Sequence, residues 1–158
     1  MPGSGYPGAV LSRDVNDLLF RVLVSTIFLG LGMEHIFSDE LIQFLMPHWV
    51  PFARLASIGV GVLLLIGGSS IALGFHLRAG AFLLIGFLTV VTASVHLPGV
   101  LHRPEGIPEH WAWVWDIMQR TNLVKNTCLI GVCIHLTRHR VGRYSLDARR
   151  GRLAGDSA

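Results

Sequence analysis

The chain has 158 residues, 51% of them hydrophobic and only 15% charged, with a formal net charge of +3. An average soluble chain carries roughly 25% charged residues, so this balance excludes an ordinary soluble domain and points to a membrane. The positive charge gathers near the C-terminus, where it serves membrane topology better than nucleic-acid binding.

Residues 1–16 read as a flexible tail, holding Pro2, Gly3, Gly5, Pro7 and Gly8 without the basic region or small-residue cleavage site of a removable signal. Leu18 to Phe37 is the first stretch long and apolar enough to span, interrupted by Arg21 near its start and Glu34-His35 at its end. It acts as its own uncleaved signal. The first loop, Ser38 to Pro51, offers Ser38-Asp39-Glu40 as the start of a short helix whose apolar residues Leu41, Phe44 and Leu45 share a face; Pro47 stops it.

Ala56 to Phe75 is an uncharged second span, and Ala79 to Leu97 a third, reached through the tight link Phe75-His76-Leu77-Arg78. Thr26/Gly30, Ser57/Gly61 and Gly68/Ala72 are small-xxx-small pairs suited to close helix approach in lipid. The second loop, Pro98 to Thr121, predicts another short helix from Pro108-Glu109, with Trp111, Trp115 and Met118 on one face and Trp113 on another. These tryptophans suit the headgroup layer, and both loop helices are placed to roof a pocket between the spans.

Asn122 to Leu136 is the fourth and shortest span, with Lys125 one turn in, where its stem can reach outward. The runs lack the alternation of barrel strands. The expectation is an all-α integral membrane four-helix bundle over residues 17–141, with short interfacial helices in two outer loops and a basic C-terminal tail over 142–158 whose last dozen residues are disordered. Nine of the thirteen basic residues fall on the face shared by the termini and four on the other, which predicts a multi-pass protein of the plasma (inner) membrane with both ends cytoplasmic.

Polar groups inside such spans are costly and mark candidate sites. Arg21, Ser25, Phe28, Gly32 and His35 form one stripe of the first helix, with Arg21 inner and His35 outer; Thr89, Thr92 and His96 form a stripe of the third. Glu34, His35, His96, Lys125 and Asn126 can therefore meet at the outer mouth, where they either bind a small molecule or satisfy one another structurally. No tight zinc spacing occurs among the histidines, so no metal site is assigned. His35 with His96, and His76 with His135, could face each other as axial haem ligands, a disfavoured b-type cytochrome reading. Cys128 and Cys133 stand about 7.5 Å apart in rise and roughly 140° round the helix, too far for a disulfide, and read as packing residues. The motifs of nucleotide, covalent haem and triad chemistry are missing, so catalytic residues stay unassigned.

Several of these features in order resemble the DoxX family of small four-span membrane proteins. They are Arg21 followed by Phe28-Leu29-Gly30-Leu31-Gly32; Leu73-Gly74-Phe75-His76-Leu77-Arg78 at the second turn; His96; Lys125-Asn126; and Gly142-Arg143-Tyr144-Ser145-Leu146-Asp147, the most specific. The resemblance spans about residues 17 to 149. Where many relatives carry Lys near the end of helix one, this chain has Glu34-His35, and its Trp-rich second loop looks expanded. The resemblance implies a membrane subunit of an oxidoreductase, founding relatives being tied to thiosulfate:quinone oxidoreductase and terminal oxidase complexes. Such a subunit would bind quinone or a similar apolar redox molecule and dock a partner enzyme, with no covalent cofactor of its own. Arg21, His96 and Lys125 would hydrogen-bond quinone oxygens, and His35 or His96 would relay protons. The alternatives are a non-catalytic membrane anchor or accessory subunit and, less favoured because no inverted repeat is evident, a small-molecule carrier.

Overall fold

The computed structural model describes residues 12–38, 46, 50–103 and 107–155, the last four of these by backbone alone. Helix α1 runs Arg13–Phe37, α2 Ala53–Leu73, α3 Leu77–Leu101, α4 Ala112–Arg138 and α5 Leu146–Gly155. Among the described residues there is no strand. Three helices, α1, α2 and α3, are long and apolar enough to cross a membrane. At about 1.5 Å per residue, 25 residues reach about 37 Å, more than the roughly 30 Å of hydrocarbon.

The fourth helix corrects the expected layout. Among the described residues no separate interfacial helix precedes it; after a single 3-10 turn at Glu109–Trp111, α4 continues unbroken for 27 residues. Asp116, Arg120 and Lys125 fall in its first half, so it is less apolar than its neighbours. Trp115 is buried and its indole N–H donates to the Gly99 carbonyl at 3.0 Å, whereas Trp111 and Trp113 remain exposed. Trp115 is thus a packing anchor and not one of the exposed tryptophans. The short helix expected in the first loop lies largely outside the described residues.

Packing runs α1 on α2, α2 on α3 and α3 on α4, around a core of Phe28, Leu64, Ile71, Leu77, Ala81, Leu84, Leu88, Cys133 and Leu136. Phe20 and His135, edge to face at 6.4 Å, join α1 to α4. Lipid gives apolar helices no hydrophobic reason to associate, so close backbone approach must supply the contact. It does so at Gly61, where a Cβ would lie 2.8 Å from the Gly32 carbonyl oxygen, and at Gly67, where it would lie 2.6 Å from Leu84. Of the three small-residue pairs, Ser57/Gly61 and Gly68 act in this way. Thr26/Gly30 does not: both are exposed, and nothing stands within 4 Å of a Cβ on Gly30.

Helix α3 is not uniform. Thr92–His96 forms a π segment in which Leu97 N–H bonds the Thr92 carbonyl five residues back. Pro98 follows directly. Its ring would crowd the Ser94 carbonyl in a regular α-helix and it offers no N–H to it, so the wider turn accommodates the proline.

Candidate functional site

The bundle has two chemically distinct ends: a loop end, where α1 stops and α4 begins, and a tail end, which holds Arg21 and residues 139–150. At the loop end a cavity of about 380 Å³ lies between all four long helices. Its walls are apolar, including Phe28, Leu31, Val60, Leu64, Phe87, Leu88, Val91, Val95 and Leu129, with Met46 and Val50 from the first loop. Its polar lining is Glu34, His35, His96, Asn122, Lys125 and Asn126. The structure thus brings together four of the five site residues expected from sequence, and among the described residues the first loop, though not the second, contributes to the wall.

Five of the six polar groups, all but Glu34, are held in place: His35, His96, Asn126, Lys125 and Asn122 are each hydrogen-bonded within the bundle. His35, in the last turn of α1, places Nδ1 3.1 Å from Ser57 Oγ of α2, and the Ser57 hydroxyl donates to the His35 carbonyl at 2.9 Å. His96, closing the π segment, sets Nδ1 2.8 Å from Oε1 of the buried Gln119. Asn126 donates from Nδ2 to Thr92 Oγ1 at 3.1 Å, and Lys125 donates from Nζ to Asn122 Oδ1 at 2.8 Å, reaching one turn back toward the loop end. Side chains fixed this way present a pre-formed polar rim over an apolar chamber. Small-molecule sites occupy roughly 300–1,000 Å³ and combine such walls with a few placed polar groups.

Arg21 is not part of this rim. It is wholly buried at the tail end, where Nε pairs with Asp17 at 3.0 Å, Nη1 donates to the Ala72 carbonyl at 2.7 Å and Nη2 to the Tyr144 carbonyl at 3.0 Å. Asp17 also meets His139 Nε2 at 2.6 Å and the Gly142 amide at 3.0 Å. The tail motif closes over this pair. Asp147 accepts from the amides of His76 and Leu77 at 3.0 and 3.3 Å, while its own amide donates to the Gly74 carbonyl. Ser145 Oγ then caps α5 by accepting from the Ala148 amide at 3.2 Å. The C-terminal stretch expected to be disordered is therefore helical over Leu146–Gly155, seeded by that cap and by Arg150, whose guanidinium lies 4.7 Å over the Phe75 ring.

Among these supporting partners Thr92 stands in the polar stripe legible in the sequence, whereas Ser57, Gln119 and Asn122 carried no signal of a place at the site. Ser57 looked like a packing residue and Gln119 lay in an assumed loop; extending the fourth helix back to Ala112 would have put Gln119 beside His96. The two histidine pairs fare differently. His35 and His96 line one cavity, but His76 lies against Phe75 at 4.5 Å while His135 lies against Phe20 and His139. Cys128 is exposed and Cys133 buried, both as free thiols. Among the described residues no three His, Cys, Asp or Glu side chains group as a metal site.

Among known proteins, the family model DoxX matches residues 16–97, just over half of the chain. The match takes in α1 from Asn16, α2, and α3 as far as Leu97, and stops short of Lys125-Asn126 and the tail motif. No curated protein and no solved structure matches the chain.

Proposed function

The chain belongs to the DoxX family, and from that premise we propose that it is the membrane subunit of an oxidoreductase, holding a quinone or similar apolar redox molecule in the loop-end cavity and docking a partner enzyme. The observation that carries this reading is the cavity itself. An apolar chamber suits a ring and the start of an isoprenoid tail, and its polar lining offers the donors and acceptors that ring oxygens would need. Lys125 and Asn126 supply donors, and His35 and His96 are placed to pass protons. Arg21, at the other end, serves the fold. The electrons belong to the bound molecule or to the partner, and the protein resides in the plasma membrane with its tail end cytoplasmic.

The test is to purify the chain from native membranes, identify the extracted isoprenoids, and titrate a short-tail quinone into the wild type. Quinone binding should fall about tenfold or more in Lys125→Ala, and binding of the corresponding hydroquinone in His96→Ala, with both variants inserted and folded, and both should persist in Arg149→Ala. No extracted quinone and no binding would leave a non-catalytic anchor as the function.

A further inference from the structure

The two cavity histidines each have one ring nitrogen already engaged, and the chemistry of their partners fixes which nitrogen carries hydrogen. The single hydroxyl hydrogen of Ser57 goes to the His35 carbonyl. The same oxygen, 3.1 Å from His35 Nδ1, can then act only as an acceptor, so Nδ1 carries the hydrogen. Gln119 meets His96 Nδ1 through its amide oxygen, which donates nothing. Again Nδ1 is the donor. In the neutral rings both Nε2 atoms are therefore bare lone pairs, and neither has a partner among the described residues. Both histidines line the cavity together with the Glu34 carboxylate, so α1 and α3 bring it acceptors, against the donors of Lys125 and Asn126 from α4.

We infer that this site selects the reduced, hydroquinone form of its ligand over the quinone, an inference that rests on the quinone reading of the cavity. Each hydroquinone hydroxyl both donates and accepts. It can give its hydrogen to a histidine Nε2 while its oxygen receives Lys125 or Asn126. A quinone carbonyl can only accept; it satisfies the donors of α4 but leaves both Nε2 atoms without a hydrogen and sets like lone pairs against each other. Sites built to bond a hydroxyl discriminate strongly against the analogue lacking it, because their own polar groups are left unpaired. Ser57 and Gln119 are positioning residues here, acting through the tautomers they hold.

The experiment uses the full-length protein in lipid nanodiscs under anaerobic conditions, with a short-tail quinone, its hydroquinone and the dimethyl ether of that hydroquinone as calorimetric probes. The hydroquinone should bind about tenfold tighter or better than the quinone, and the ether, which keeps the ring but has no hydroxyl, should lose that advantage. Nitrogen-15 spectra of histidine-labelled protein should show both rings protonated at Nδ1 and bare at Nε2. In Gln119→Leu the hydroquinone-to-quinone preference should shrink while the quinone affinity holds, an effect a merely loosened fold would not produce. Equal or tighter quinone binding, or an Nε2-protonated His35 or His96, overturns the inference and leaves the quinone site standing. Binding of neither form overturns the quinone reading and this inference with it.

Discussion

Arg21 and Tyr144 stand 123 positions apart and are joined by a 3.0 Å hydrogen bond from the guanidinium to the main-chain carbonyl. That bond makes the tail part of the bundle's interior. An arginine buried in an apolar span is tolerable only when each arm of its fork meets an acceptor, and the acceptors here come from α1, α2 and the tail together.

Replacing Arg21 should therefore harm folding rather than ligand binding. Arg21→Ala leaves Asp17 buried without its cation and should cost about 3–5 kcal/mol. Arg21→Lys, which can reach fewer of the acceptors, should fall between. Thermal melting in detergent checks the order. The folded fraction of Arg21→Lys should bind cavity ligands as the wild type does; normal melting with lost binding would mean that Arg21 belongs to the ligand site after all.

Asp147 and Gly74 should prove coupled. Asp147→Ala removes the carboxylate from the first amides of α3 and should cost about 1 kcal/mol, as helix-cap losses do. Gly74→Ala forces a side chain onto φ +59 and brings its Cβ to 2.6 Å from that of Ser145, so it should dislodge the same tail. The double variant should then lose less than the two single losses together. Trypsin cleavage after Arg143 provides a second measure, faster in each variant.

Gly61 and Gly59 lie on one helix and predict opposite outcomes. A Cβ on Gly61 meets Ile36 at 2.7 Å and the Gly32 carbonyl at 2.8 Å, while one on Gly59 meets nothing within 4 Å. Gly61→Ala should part α1 from α2, break the His35–Ser57 contact and weaken cavity binding. Gly59→Ala should be neutral, or raise the melting temperature slightly through helix propensity.

Topology is open to direct measurement. With nine of thirteen basic residues on the terminal face, reporters fused at either end should be active only in the cytoplasm, and a tag beside Trp113 only outside. A reporter read outside at the C-terminus would reverse every face assignment.

Periodicity made the α1 stripe legible in advance. Arg21, Ser25, Phe28 and Gly32 are all buried, because a helix with one packed face must repeat its small and polar residues at that spacing. The loop-end grouping of His35, His96, Lys125 and Asn126 followed from depth alone, since each residue's distance from its helix end is written in the chain. The tail clasp had no such signature. Its bonds run from Asp17 and Arg21 to main-chain groups of Ala72, Gly142 and Tyr144, and backbone carbonyls and amides are present at nearly every position. The back-side partners Ser57 and Gln119 escaped for a related reason: a polar residue that serves another residue, and not the ligand, leaves no pattern of its own.

The π segment gives α3 two independent phases. Below it, Leu77, Ala81, Leu84 and Leu88 keep one buried row in register; above it, the extra residue turns everything onward by about 100°. In that upper portion, Thr92 receives Asn126, His96 meets Gln119 and Gly99 receives Trp115, all from α4. Scaffold and chemistry thus occupy the same helix without sharing a register, so the upper portion can be retuned toward a different ligand while the lower row stays packed. Removing one residue between Thr92 and His96 would merge the two phases and swing the imidazole away from Gln119, with the bundle beneath it untouched.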